Sequence, residues 1–201
     1  MLGLGFFSLG VFLILVLGLS QGWLQPYDER VLTVFHTLTS LALTRAAVAV
    51  SLLGSGWVVA PLALGAFVGL RRVSPSAGHR FALAVAGGVL LFLLVVFVID
   101  RPRPALFDSP ISEPTASFPS GHVMNTTIVF LSLYLSQVRF GLWGKRVTAW
   151  SGMILLLSVS ASRLYLQIHY PSDIVAGAAL GVGWVLLVFG ANVKATKRAE
   201  C

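Results

Sequence analysis

The sequence predicts an all-α protein that crosses a lipid bilayer several times, and three observations carry that expectation. Of its 201 residues, 57% are hydrophobic and only 10% are charged, against about 25% charged in an average soluble domain. Six apolar runs approach the roughly 20 residues that a helix needs to span the hydrocarbon core; clusters of charge, Pro or Gly separate them. The Lys and Arg fall in short connections between these runs and are not interleaved with aromatics. Despite the net charge of +7, this is a membrane distribution and excludes nucleic acid as a partner. The length suits one helical bundle, residues 1–201, as a single domain.

The first run, residues 2–19, begins without a basic segment and ends at Gln21-Gly22 without a small-residue cleavage pattern, so it reads as a retained span and not a signal peptide. Residues 28–40 are too polar to cross. There Val31, Val34, Phe35, Leu38 and Leu41 recur at helical spacing, which predicts an amphipathic helix lying in the outer interface between spans one and two. The remaining spans are expected at residues 46–70, 81–99, 123–138, 147–161 and 174–193, the fourth and fifth extending into their flanking motifs. Gly65-xxx-Gly69 and Gly177-xxx-Gly181 predict close helix approach. Cys201 is the only cysteine, which excludes an intrachain disulfide.

Six spans place both termini on one side. Arg71, Arg72, Arg80, Arg139, Lys145, Arg146, Lys194, Lys197 and Arg198 gather there with only Glu200 acidic. The other side has Arg30, Arg45, Arg101, Arg103 and Arg163 together with Asp28, Glu29, Asp100, Asp108, Glu113 and Asp173. The positive-inside rule makes the first side, and both termini, cytoplasmic.

Ionisable residues at span ends are expensive and therefore functional candidates. Here they converge on the outer side in three segments: Asp100-Arg101-Pro102-Arg103-Pro104, Pro119-Ser120-Gly121-His122, and Ser162-Arg163 followed by His169 and Asp173. Guanidiniums, two imidazoles and a carboxylate, with no metal-ligand cluster, describe a phosphate site. Arg presents a planar fork that fits phosphate oxygens. Ser120 and Gly121 precede a helix whose free N–H groups favour an anion. Pro171 suits the first turn of span six, where Asp173 is placed to accept from one ring nitrogen of His169 and leave the other free to attack. Asp100 reads as a helix cap, His36 and His79 as solvated residues, and Asn125, Thr126 and Thr127 as helix-packing groups.

These segments resemble the type 2 phosphatidic acid phosphatase family, whose signature is Lys-x6-Arg-Pro, Pro-Ser-Gly-His and Ser-Arg-x5-His-x3-Asp. The second part matches at residues 119–122 and the third at Ser162, Arg163, His169 and Asp173. In the first part, Arg103-Pro104 places Val96 at the lysine position and Arg101-Pro102 places Leu94 there, so the lysine is absent in either alignment. The resemblance implies a six-span lipid phosphatase needing no metal or cofactor. His169 would be the nucleophile, Asp173 its orienting group and His122 the acid and base; Arg103, Arg163, Ser120 and Gly121 would hold phosphate. Undecaprenyl diphosphate, phosphatidylglycerol phosphate and phosphatidic acid are its candidate substrates. A lipid phosphotransferase or a catalytically silent phospholipid-binding relative are the alternatives.

Arg101 is expected to replace the absent lysine in part. Pro102 and Pro104 bias Arg101 and Arg103 toward extended backbone, and residues two apart in a flat strand share a side. A polyproline II turn would instead aim Arg101 at lipid headgroups.

Overall fold

The computed structural model describes residues 1–136 and 141–199. They form eight helices: α1 (Leu2–Ser20), α2 (Gln25–Thr37), α3 (Leu41–Leu53), α4 (Gly56–Val73), α5 (Pro75–Ile99), α6 (Gly121–Ser136), α7 (Gly141–Tyr165) and α8 (Pro171–Ala199), with no strand among the described residues. Five stretches are long and apolar enough to cross a membrane: Leu2–Ser20, Leu41–Val73, Pro75–Ile99, Gly144–Tyr165 and Pro171–Ala191. The expected fourth span corresponds to the 16 described residues of α6, short of the roughly 20 that a span needs. Val138 and Arg139, like Glu200 and Cys201, lie outside the described residues. Outward-facing side chains such as Trp57, Phe97, Leu90 and Trp150 are largely exposed, an apolar surface far larger than a water-soluble monomer presents. The protein is a multi-pass membrane protein.

Local chemistry sets the helix ends. Ser40 and Ser74 cap α3 and α5, accepting from Leu43 N–H and Ala77 N–H, and Pro75 occupies the first turn of α5. Asp100 ends α5 in the left-handed region at φ 42°, its N–H bonded to the Val96 carbonyl. That agrees with its reading as a cap.

The second span differs from expectation. It starts at Leu41 and breaks at Gly54-Ser55, whose N–H groups bond the Ser51 and Leu52 carbonyls at 3.1 and 3.0 Å. A Cβ on Gly54 would lie 2.7 Å from Val159 and 3.3 Å from His122. Only glycine lets the break nestle against α7 and the start of α6.

The main core joins α1, α5, α6 and α8 around Phe12, Ala84, Met124, Ile128, Leu180 and Phe189. A Cβ on Gly177 would sit 2.6 Å from the Ser120 carbonyl and one on Gly181 3.2 Å from the Met124 carbonyl, so this pair brings the backbones of α6 and α8 together. Gly65 and Gly69 face open space; that pair packs on nothing among the described residues, contrary to expectation. Where α1 meets α8, Leu2 lies at Gly190 and Gly5 at Leu186, so the start of α1 and the Gly190 turn of α8 share one end of the bundle.

Helix α2 is present and packs on the bundle through a different face from the apolar one read from spacing for the interface. Asp28 and Leu32 are buried, whereas Val31, Val34 and Leu38 are exposed, and Leu41 already belongs to α3. Gln167 ties α2 down by donating to the Leu32 carbonyl at 3.1 Å.

Candidate active site

The three sequence segments meet at one end of the bundle, in two linked groups. In the first, Tyr170 closes the turn before α8 by accepting Asp173 N–H at 3.0 Å, which sets Asp173 one helical turn from His169. Asp173 is fully buried. Its Oδ2 faces His169 Nδ1 at 3.4 Å and also accepts from Tyr170 N–H at 2.8 Å and from the Ser117 hydroxyl. Its Oδ1 accepts from Arg101 Nη1 at 2.6 Å. With Nδ1 turned to a carboxylate, the ring carries its proton there and leaves the Nε2 lone pair outward. Arg103 Nη1 lies 3.3 Å from that Nε2 and donates to the Ile168 carbonyl at 2.6 Å, while Arg103 Nε and Nη2 are braced on Thr115 and Ala116.

The second group surrounds Arg163, which is 1% exposed. Its Nη1 donates to Ser51 Oγ at 2.7 Å and lies 3.4 Å from His122 Nε2; its Nη2 donates to Glu113 Oε1 at 2.5 Å. The other Glu113 oxygen is 3.5 Å from Arg103 Nη2. One carboxylate thus bridges the two arginines that flank the histidines.

Burial and surrounding charge shape these groups. Burial pushes the His169 ring below its ordinary pKa, with Arg163 and Arg103 adding to the effect and Asp173 opposing it. Burial also pulls Arg103 down, against Glu113 and Asp173. Burial works to raise Glu113, but Arg163, His122 and Arg103 outweigh it, and the carboxyl is held below its usual range.

His169, Asp173, His122, Arg103 and Arg163 are therefore brought together. Ser120 and Arg101 behave otherwise than expected. The Ser120 N–H is already given to the Asp173 carbonyl at 3.0 Å, and its buried hydroxyl has no partner among the described residues. Gly121 follows in the first turn of α6, where a Cβ would lie 2.7 Å from the Phe92 ring.

Arg101 is not beside Arg103. It is buried, stacks 3.9 Å over the Tyr170 ring, and bonds Asp173, Ser172 and Asp28. Two buried carboxylates and the Ser172 hydroxyl take up its guanidinium, which braces Asp173.

Sequence reasoning passed over Ser51, Glu113, Ser117 and Asp28. Ser51-Leu52-Leu53-Gly54-Ser55-Gly56, polar and glycine-rich inside an apolar run, was the available signal for Ser51. Among the described residues no cluster of three His, Cys, Asp or Glu is placed to hold a metal ion.

A multi-span helical bundle carrying two histidines, three buried or half-buried arginines and a histidine-bound carboxylate at one end defines a membrane-embedded phosphate-processing protein. Residues 77–197 match the PAP2 superfamily. The chain belongs to that superfamily and is a phosphatase of lipid phosphate esters, in a family whose chemistry is metal-independent. It is 28% identical over 188 residues to phosphatidylglycerophosphatase B of Bacillus subtilis, covering 91% of this chain and 92% of that one. It is 30% identical over 152 residues to decaprenylphosphoryl-5-phosphoribose phosphatase of Mycobacterium tuberculosis, covering 71% and 77%. The crystal structure of the transmembrane PAP2 type phosphatidylglycerolphosphate phosphatase from Bacillus subtilis superposes with a TM-score of 0.85 at 25% identity, covering 94% of this chain and 96% of that one.

Proposed function

We propose that this protein hydrolyses a phosphate monoester or diphosphate on a lipid tail through a phosphohistidine at His169, on the outer membrane face. The observation that carries the reading is the His169 ring, with Nδ1 on the buried Asp173 carboxylate and Nε2 beside Arg103. Such a ring is aimed and desolvated for attack.

In the first step Nε2 attacks phosphorus, the P–O bond to the lipid breaks, and His122 gives its proton to the leaving oxygen. In the second, His122 takes a proton from water, the hydroxide attacks phosphorus, and the P–N bond breaks to release phosphate. Arg103 and Arg163, with Gly121 N–H, stabilise the charge that spreads over the phosphoryl oxygens. The bridging Glu113 carboxylate stands for the anion in this arrangement, since its two oxygens take contacts that a phosphoryl group would take. Arg101 acts through Asp173.

Relatives named for phosphatidylglycerophosphate and for a decaprenyl-linked phosphoribose phosphate support a substrate with a large lipid anchor. Undecaprenyl diphosphate, phosphatidylglycerol phosphate and phosphatidic acid are the classes to assay. The proposed topology has six crossings, with α3–α4 as the second and α6 as the fourth, both termini cytoplasmic and α2 in the outer interface with Val31 and Val34 toward lipid. Arg71, Arg72, Arg80, Lys145 and Arg146 lie in the turns and helix ends opposite the site, which supports that orientation.

Phosphate release from these lipids by detergent-purified protein, without an added acceptor, tests the reading and separates it from a phosphotransferase. Release that disappears in His169→Ala and persists with chelator is the expected outcome. Undiminished release in His169→Ala would overturn the nucleophile assignment.

A further inference from the structure

The contacts that hold Asp173 continue away from His169 into helix α2. Arg101 Nη1 bonds Asp173 Oδ1 and Ser172 Oγ at 2.6 and 2.8 Å, and its Nη2 bonds Asp28 Oδ2 at 2.9 Å and Gln25 Oε1 at 3.4 Å. Asp28 is 2% exposed, and its carboxylate also accepts the Ser172 N–H at 2.9 Å and the Ser172 hydroxyl at 2.5 Å. One guanidinium therefore lies between two buried carboxylates, one belonging to the nucleophile's partner and the other to a helix laid across the bundle.

Burying an acid merely to dock a helix is a poor use of it, because a well-packed apolar residue would serve as well or better. The charge arrangement suggests another use. A guanidinium bound to Asp173 alone would neutralise it and weaken its hold on the His169 Nδ1 proton. With a second carboxylate sharing Arg101, the trio keeps a net charge of −1 behind the imidazole. The other ionisable groups facing this ring are Arg103 at Nε2 and Arg163, itself paired with Glu113 and next to His122. These arginines are positive, so the charge behind the ring works against them.

We infer that Asp28 is a positioning residue for the His169–Asp173 pair: by sharing Arg101 it fixes the Asp173 carboxylate and preserves its negative charge, and so keeps His169 Nε2 nucleophilic. The inference rests on the reading of His169 as nucleophile.

Asp28→Asn in the full-length, detergent-purified protein tests it. The expected result is a fall of about tenfold or more in kcat with KM little changed. The acid limb of the kcat/KM profile moves to lower pH, because Arg101's charge is no longer offset beside the imidazole. Asp28→Glu, which keeps the charge, recovers the position of the limb. In an Arg101→Gln background, Asp28→Asn adds no further loss, since its route to the site is gone. If Asp28→Asn yields too little folded protein, Ser172→Ala loosens the same carboxylate and shifts the limb in the same direction by less. An unmoved acid limb in Asp28→Asn or, where that variant does not fold, in Ser172→Ala, or an equal loss with and without Arg101, overturns the inference. Turnover surviving in His169→Ala would instead remove the nucleophile reading on which it stands. An inactive His169→Ala with a wild-type limb in Asp28→Asn removes the Asp28 role alone.

Discussion

Glu113→Gln measures how strongly the free enzyme holds its own anion. The carboxylate bridges Arg163 at 2.5 Å and Arg103 at 3.5 Å, with its side chain 23% exposed. Its neighbours keep it ionised below the usual carboxylate range, so the charge is present at any working pH. A buried charge-assisted contact is worth about 1.5–3 kcal/mol. Discounted for the access water retains here, the Glu113 contact comes to about 1–2 kcal/mol. A phosphate must displace this carboxylate before it reaches the arginines, so its apparent affinity is reduced by the same amount. Neutralising Glu113 at nearly constant shape is expected to lower the inhibition constant for inorganic phosphate by roughly five- to thirtyfold. The assay is competitive inhibition of lipid-phosphate turnover by inorganic phosphate, with thermal unfolding to show an intact fold. An unchanged or raised inhibition constant in a folded variant would show that Glu113 does not compete for the arginines.

Further expectations concern groups around the same centre. Ser51→Ala removes the 2.7 Å acceptor of the buried Arg163 and is expected to lower kcat/KM by roughly tenfold or more; unaltered kinetics in folded protein would separate the α3–α4 break from the site. Because burial and two arginines hold the His169 ring low, it stays neutral and nucleophilic as pH falls past 6.5, and the acid limb of kcat/KM lies below that value. A limb above 6.5 would contradict the environment described for His169. Single cysteines at Ser76 and Asp108, in a Cys201→Ser background, report topology: an impermeant thiol reagent on intact cells is expected to label position 108 and not 76, and the reverse would invert the orientation.

The helical class and the histidines were legible in the sequence because both are encoded by short-range spacing. Apolar run length gives spans, and a His separated from an Asp by three residues, one of them a proline, closes onto it as soon as α8 begins at Pro171. The partners of Arg101 were not legible because the same-side rule for residues two apart requires a flat strand. Residues 101–104 are irregular backbone, and two buried carboxylates from α2 and α8 decide where the side chain goes. Asp28 was hidden because a helix's polar face is expected to meet water, whereas here it turns inward to Arg101. Glu113 lies in an irregular segment without periodicity, and only the folded chain brings it to Arg163, 50 residues away. The break at Gly54 was missed because the apolar residues 46–50 and 57–64 on either side continue the span; the polar, glycine-rich stretch 51–56 was its trace in the sequence, and the Val159 and His122 side chains that occupy the space of a Cβ give its physical reason.

The covalent step is the centre of the proposal, and His122→Ala makes it accessible. An activated aryl phosphate needs little leaving-group protonation, so this variant is expected to form the phosphoenzyme and then stall, lacking the base that activates water. Acid quenching destroys phosphohistidine, so the sample is denatured in alkali and the labelled peptide sequenced. Stoichiometric acid-labile phosphate on the peptide containing His169, absent from the His122→Ala/His169→Ala double variant, is the expected result. Turnover of the aryl phosphate by wild type with no label on that peptide in His122→Ala, or label that survives loss of His169, would contradict it.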